Sequence, residues 1–197
     1  MPEYDSAELE PNERGRIIKS AVTPRPIAWI STTSTDGVDN LAPFSSYNYV
    51  SSAEPVVIFN TPYAEGDEQK DTPRNVLETE EFAVNVVTEP LAQTMDTTAA
   101  SLEADESEFD YAEVDRAECE TIEPPRVADA VVTMECTLYD SMRVRDRLAI
   151  LGDVEYFHVD ESVMTDGQID AAKVDTVGRL GGPYYTVSDL IEFERQF

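Results

Sequence analysis

Three bases sit where an anion could be held. Arg25 stands between two prolines in TPRPIAW, Lys70 precedes a helix-start pattern in QKDTPRN, and Arg179 leads a glycine-rich turn in VGRLGGPYY. The chain has only 14 lysines and arginines against 41 acids, so a base in an apolar or Gly/Pro setting is not incidental. After Lys70, Thr72 suits an N-cap and Pro73 a first helical residue. The free N–H groups and dipole at such a helix start favour an anion. Asp71 opposes one there, and capping the turn is its other role. An ordinary capped helix explains the same residues; taken together with Arg25, the pattern reads as a phosphate site. Arg143, Arg145 and Arg147 alternate along SMRVRDRL and read as one solvated strand face or as partners for nearby acids.

A second set of residues could form a wall for a planar ligand. Asn40, Ser45, Ser46, Asn48, Ser51 and Ser52 are small polar groups on or near one strand. Strand N–H and C=O groups beside them could read the polar edge of a heterocycle. Trp29, Phe44 and the pair Tyr184/Tyr185 could cover its face. The alternative for Trp29 and Phe44 is a place in the core.

The bulk properties bound the possibilities. With 197 residues and 41% hydrophobic content, the chain can build one domain with a real core. No apolar run is long enough for a transmembrane helix, and the acidic, polar MPEYDSAELEPNE lacks a signal pattern, so a soluble cytoplasmic protein is expected. A net charge of -27, with acids spread along the whole chain and no basic patch, argues against nucleic-acid binding. The even spread resembles proteins of salt-accumulating halophilic archaea; a merely acidic mesophilic protein is the alternative. Repulsion among carboxylates opposes folding in dilute buffer, and at molar salt a Debye length of roughly 3 Å screens it. Cys119 and Cys136 have no metal-like spacing and read as reduced thiols, and the single histidine, His158, reads as structural.

The elements follow from periodicity. NERGRIIKSAV is a short helix or extended lead-in. PIAWISTT and NLAPFSSYNYVS form a hairpin around the Asp36-Gly37 turn, and PVVIFNT, EEFAVNVVT, VVTMECTLYDSMRV and LAILGDVEYFHVDESVM supply further strands. One helix begins at KDTPRNVLETEE. A second lies in EPLAQTMDTTA, with Leu91, Met95 and Ala99 at helical spacing. Residues 101–121 are acidic and aromatic-poor and read as a surface excursion. Five or six antiparallel strands with few long helices suggest a mainly β barrel or sandwich.

At this point the residues resemble a family. TPRPIAWIST, DGVDNLAPFSSYNYVSS, PVVIFNT, KDTPRNVLETEEFAVNVV and GRLGGPYY, in that order, are similar to blocks of the flavin-reductase-like, FMN-binding split-barrel proteins, nearest the flavoredoxin-type branch. The resemblance spans Thr23 to Tyr185. It implies a β-barrel with peripheral helices: a six-stranded antiparallel split barrel with Greek-key connections. It also implies a single domain over 1–197 with its core at about 17–187, and a homodimer with FMN near the subunit interface. It puts Arg25 and Pro26 beside the cofactor. It runs the segment Asn40 to Ser45, with Ala42, Pro43 and Phe44, along the isoalloxazine and ribityl chain. Ser51 falls near the phosphate, and Lys70, Asp71 and Thr72 at the phosphate and ribityl end. Arg179 and the glycines after it form a loop closing over the site. The family often has a second aromatic where this chain has Ser46.

The chain has no G-x-G-x-x-G opening a helix, so NADH or NADPH is not held by a Rossmann site. The resemblance implies that the nicotinamide stacks on the flavin and passes hydride to N5, with no catalytic protein residue. Three functions follow from it: an NAD(P)H-dependent flavin reductase serving a monooxygenase, a flavoredoxin-like electron carrier reduced by an electron-transfer protein, or a non-catalytic FMN-binding module.

Overall fold

The computed structural model describes residues 1–65 and 69–187. Helix α1 is Pro11–Ala21, and a two-residue strand, β1 (Arg25–Pro26), follows it. Strands β2 (Ala28–Thr33), β3 (Asp39–Phe44), β4 (Tyr47–Ser51) and β5 (Val56–Pro62) precede helix α2 (Asp71–Thr79) and β6 (Glu81–Val86). A 3-10 turn at Glu89–Leu91 leads into α3 (Ala92–Thr97), then α4 (Glu108–Tyr111) and the short pair β7 (Arg116–Ala117) and β8 (Arg126–Val127). The long hairpin β9 (Val132–Val144) and β10 (Arg147–Val159) is followed by the minor pair β11 (Met164–Thr165) and β12 (Gln168–Ile169). Strands β13 (Val177–Arg179) and β14 (Tyr185–Val187) end the described chain. No helix among the described residues is long and apolar enough to cross a membrane.

The main sheet is antiparallel with seven strands, in the order β3-β2-β6-β9-β10-β5-β4. Six strands were expected. The extra one arises because NLAPFSSYNYVS is two strands rather than one, broken at Ser45–Ser46. The Ser46 carbonyl accepts the Asn60 backbone N–H at 2.9 Å and Asn60 Nδ2 at 3.1 Å, which pins the bend against β5. The β2–β3 turn is as expected: Gly37 adopts φ +82° and its N–H reaches the Ser34 carbonyl.

Strand β2 shows why most of its residues are buried. Successive side chains point to opposite faces, and both faces are covered. Ala28 and Ile30 join Phe59, Phe82, Val84 and Ile150 from β5, β6 and β10. Strands β2 and β5 are separated in the sheet order, so this shared cluster means that the sheet curls around its own face. Trp29 points the other way and packs with Leu41, Met95, Phe109 and Val127. Stretch 101–121 therefore does more than cover a surface. Phe109 is wholly buried and makes α4 part of this second core.

Three strands form a separate small sheet, β1-β13-β14, with Arg25 opposite Arg179 and Pro26 opposite Gly178. Gly178 is needed for close approach, since a Cβ there would lie 2.7 Å from Pro24 Cβ. Tyr49, Val50, Tyr139 and Met142 leave large apolar groups exposed on β4 and β9.

Candidate functional site

One open cavity of about 2280 Å³ lies between α1, β1, the β3–β4 bend, the start of α2, α3 and the loop after β13. Its walls reverse the charge of the chain. Arg16, Lys19, Arg25, Lys70, Arg147 and Arg179 line it, against four acids, Asp71, Asp96, Glu108 and Asp146. The lining therefore carries a formal +2 on a chain of -27. Such a concave cationic surface concentrates anions in a field that elsewhere repels them.

Lys70 occupies the N-cap position of α2, with extended backbone, and its side chain is exposed toward the cavity. The helix begins earlier than the Thr72 cap read from the sequence. Thr72 is its second residue and Pro73 its third. Thr72 is buried, and its hydroxyl donates to Asn40 Oδ1 at 2.7 Å instead of capping the helix. Asp71 is ion-paired with Arg74, one turn on, so its charge is offset locally.

Asn40 lines the cavity, and its amide acts as a bracket. Oδ1 accepts from Thr72 and, at 3.3 Å, from Thr32; Nδ2 donates to Glu108 Oε2 at 2.8 Å. The same Glu108 oxygen accepts the Leu41 backbone N–H at 3.0 Å. One buried carboxylate thus joins α4 to β3, and Asn40 joins β3 to the start of α2. Burial raises the Glu108 pKa above the ordinary 4.5; the hydrogen bonds from Leu41 and Asn40 counter this, and the charge of Asp71 reinforces it.

Arg25 answers the question its prolines raise. Its Nη1 donates to the Lys19 carbonyl at 2.5 Å and the Val22 carbonyl at 3.2 Å, and its Nη2 to the Leu180 carbonyl at 3.1 Å. The guanidinium caps orphan carbonyls at the end of α1 and ties them to the loop after β13. Arg179 continues the strap. It donates to Tyr185 Oη and, at 2.8 Å, to the Gly182 carbonyl, and it lies over the Tyr185 ring at 4.3 Å. Tyr185 Oη in turn donates to Asp96 Oδ1 on α3 at 2.7 Å. Gly181 lets this loop meet α1, because a Cβ there would sit 2.7 Å from Ser20 Oγ.

Of the residues singled out by sequence, Arg25, Pro26, Asn40, Ala42, Pro43, Phe44, Ser45, Lys70, Asp71, Thr72 and Arg179 line this cavity. Ser51 does not. It sits at the far end of β4, paired with Val56. Trp29 is no wall either, being wholly buried with its Nε1–H on Thr98 Oγ1 at 2.8 Å. Phe44 is half-buried against Phe59, with ring centroids 5.1 Å apart, and keeps a surface on the cavity. Sequence reasoning missed Arg16, Lys19, Asp96, Glu108 and Arg147. The scarcity of bases was the signal for Arg16, for Lys19 and for Arg147, which reads from sequence as part of a solvated strand face, and Glu108 had one in the aromatic that follows it within an acidic run.

Residues 20–173 match the family described as Flavin reductase like domain, and the chain belongs to that family. Among solved structures, nitrilotriacetate monooxygenase component B from Bacillus cereus is 30% identical, with TM-score 0.91, over 99% of this chain and 98% of that one. The Pseudomonas fluorescens 2-nitrobenzoate 2-nitroreductase NbaA is 27% identical, with TM-score 0.90, over 98% and 96%. Flavoredoxin of Desulfovibrio vulgaris (Miyazaki F), 18% identical with TM-score 0.77 over 89% and 92%, shares the fold. Matched proteins come from bacteria and archaea alike, which does not support an origin among salt-accumulating archaea.

Proposed function

We propose that this flavin reductase-like protein binds FMN in the cationic cavity and transfers hydride to it from NADH or NADPH. The observation that carries the reading is the gathering of Arg16, Lys19, Arg25, Lys70, Arg147 and Arg179 around one cavity in an otherwise acidic chain. Its volume of about 2280 Å³ leaves room for a flavin.

The residues fit FMN. Lys70 and the N–H groups opening α2 suit a phosphate dianion. Asn40 and Thr72 fix that helix start against β3, whose Ala42, Pro43 and Phe44 present backbone and an aromatic edge to a planar ring. Arg25 and Arg179 fix the loop that lines one side of the cavity. When bound, the flavin supplies the two-electron acceptor, and the chain supplies position and electrostatics. No side chain is assigned to the chemistry itself.

The likeness to a monooxygenase component B supports a role in delivering reduced flavin to an oxygenase partner. Exposed Tyr49, Val50, Tyr139 and Met142 support a homodimer, and the charge supports a cytoplasm rich in salt. The test is a visible spectrum of protein purified in high KCl, followed by anaerobic NADH or NADPH. Flavin absorption that bleaches on addition supports the reductase. Absorption that yields only to dithionite overturns it in favour of an electron carrier with a protein donor. A colourless protein that fails to bind added FMN removes the flavin reading altogether.

A further inference from the structure

Away from this cavity, three side chains that sequence spacing kept apart converge. Cys119 lies in the segment between β7 and β8, Glu135 on β9 and His158 on β10. The β9–β10 register places Tyr156 opposite Glu135 and His158 opposite Thr133, so the carboxylate and the imidazole are diagonal neighbours on one sheet face. One sulfur, one nitrogen and one carboxylate oxygen lie within 4.8 Å of one another.

The carboxylate is crowded with donors. Its Oε1 accepts the Glu120 N–H at 2.7 Å and lies 2.5 Å from His158 Nε2. Its Oε2 accepts the Thr121 N–H at 2.7 Å and the Thr121 hydroxyl at 2.6 Å. The Cys119 sulfur lies within 4.8 Å of a carboxylate oxygen and of a His158 ring nitrogen. Four donors thus fill the about four lone-pair sites of the carboxylate. Glu135 is wholly buried. The N–H groups of Glu120 and Thr121, the Thr121 hydroxyl and His158 all face it and favour the carboxylate form.

We propose that Cys119, Glu135 and His158 bind one zinc-type divalent cation that clamps the segment 118–121 onto the β9–β10 hairpin. The ion takes the place of the proton that Nε2 directs at the carboxylate and of the thiol proton. The cysteine releases its proton to solvent and binds as thiolate, and the imidazole changes tautomer, its proton passing through water from Nε2 to Nδ1, so that it binds neutral through the freed Nε2 lone pair. Thiolate and carboxylate together balance the two charges of the ion. Mixed S, N and O ligands suit zinc rather than calcium or magnesium. Bond lengths of about 2.0–2.3 Å in a tetrahedron set ligand–ligand edges of roughly 3.3 Å or more, so His158 must withdraw by somewhat under an ångström from its ion-free position. Its side chain is 18% exposed and lies next to the Tyr156 ring. The N–H groups of Glu120 and Thr121 hold the carboxylate as an outer shell does in metal sites. The fourth position is left for water.

The test is cobalt(II) titration of the chelator-treated full chain in high KCl, with excess magnesium occupying the surface carboxylates. One equivalent should bind, with tetrahedral visible bands and a thiolate-to-cobalt charge-transfer band, and zinc should displace it. Cys119→Ser and His158→Gln should each weaken binding by more than about 100-fold, beyond the loss that an outer-shell change causes. His158→Gln keeps a donor toward Glu135 at a partly exposed position, so it serves even where Cys119→Ser does not fold. No retained cobalt, retained cobalt without the thiolate band, or binding unchanged in His158→Gln would overturn the proposal.

Discussion

Glu108 offers the sharpest test of how the cavity is built. Its Oε2 is the partner of two buried donors, Asn40 Nδ2 and the Leu41 N–H. Glu108→Ala leaves both without an acceptor, and each orphaned buried donor costs about 1–3 kcal/mol. Removing a buried carboxylate near Asp71 returns part of this, because burial and that neighbouring charge both disfavour the ionised form. The expected net loss is about 2–4 kcal/mol. Glu108→Gln behaves differently, since its carbonyl oxygen accepts both N–H groups without a charge to bury. The sign with pH follows from the raised pKa. The contribution of Glu108 is fully present below the ordinary 4.5 and declines as pH rises through the raised value. The glutamine variant mimics the protonated form, so it should match the wild type in acid and become the more stable of the two toward neutrality. Urea unfolding in molar KCl reads this directly, with the single tryptophan, wholly buried Trp29, as the fluorescent probe. FMN affinity should fall roughly tenfold in Glu108→Ala, about 1.4 kcal/mol, because Asn40 no longer fixes Thr72. An alanine variant with the wild-type urea midpoint would refute the reasoning, as would a glutamine variant that loses ground as pH rises.

Three other predictions bear on the flavin reading. Lys70→Ala should raise the FMN dissociation constant by about 10–100-fold, the range of one lost charge-assisted contact, and leave riboflavin binding unchanged; equal losses for both ligands would place Lys70 away from the phosphate. Arg25→Ala removes donors from three carbonyls, so α1 and the loop after β13 should come loose together. Limited proteolysis should then cut within residues 1–21 far faster than in the wild type, and an unchanged digestion pattern would mean that the clamp is not what holds α1. FMN affinity should rise with KCl until folding is complete, because screening weakens long-range repulsion from a chain of -27; a steady fall across the range where circular dichroism shows a folded protein would contradict this.

What the sequence made legible was local. The Asp36-Gly37 turn, the apolar strands and the helix after Lys70 each follow from a short run of residues, and the structure has them all. What stayed hidden depends on partners far along the chain. Ser45 and Ser46 suit a strand as well as a bend, and the choice is made by Asn60, fourteen residues beyond Ser46. Thr72 is a good cap by local rules, but Asn40 takes its hydroxyl from 32 residues away. Averaging over residues 101–121 hid Phe109 and Glu108, the two members that turn an acidic stretch into core and bracket. Arg25 is the instructive case. Scarcity of bases identified it correctly as a residue with a task, but scarcity does not say which acceptor it serves. Backbone carbonyls carry no mark in a sequence, and a helix end offers several of them at once. In so acidic a chain, a cation fixed between prolines binds the carbonyls that close the cavity wall, and the cations left unpaired on that wall, Arg16, Lys19 and Lys70 among the described residues, are the ones available to a ligand's phosphate.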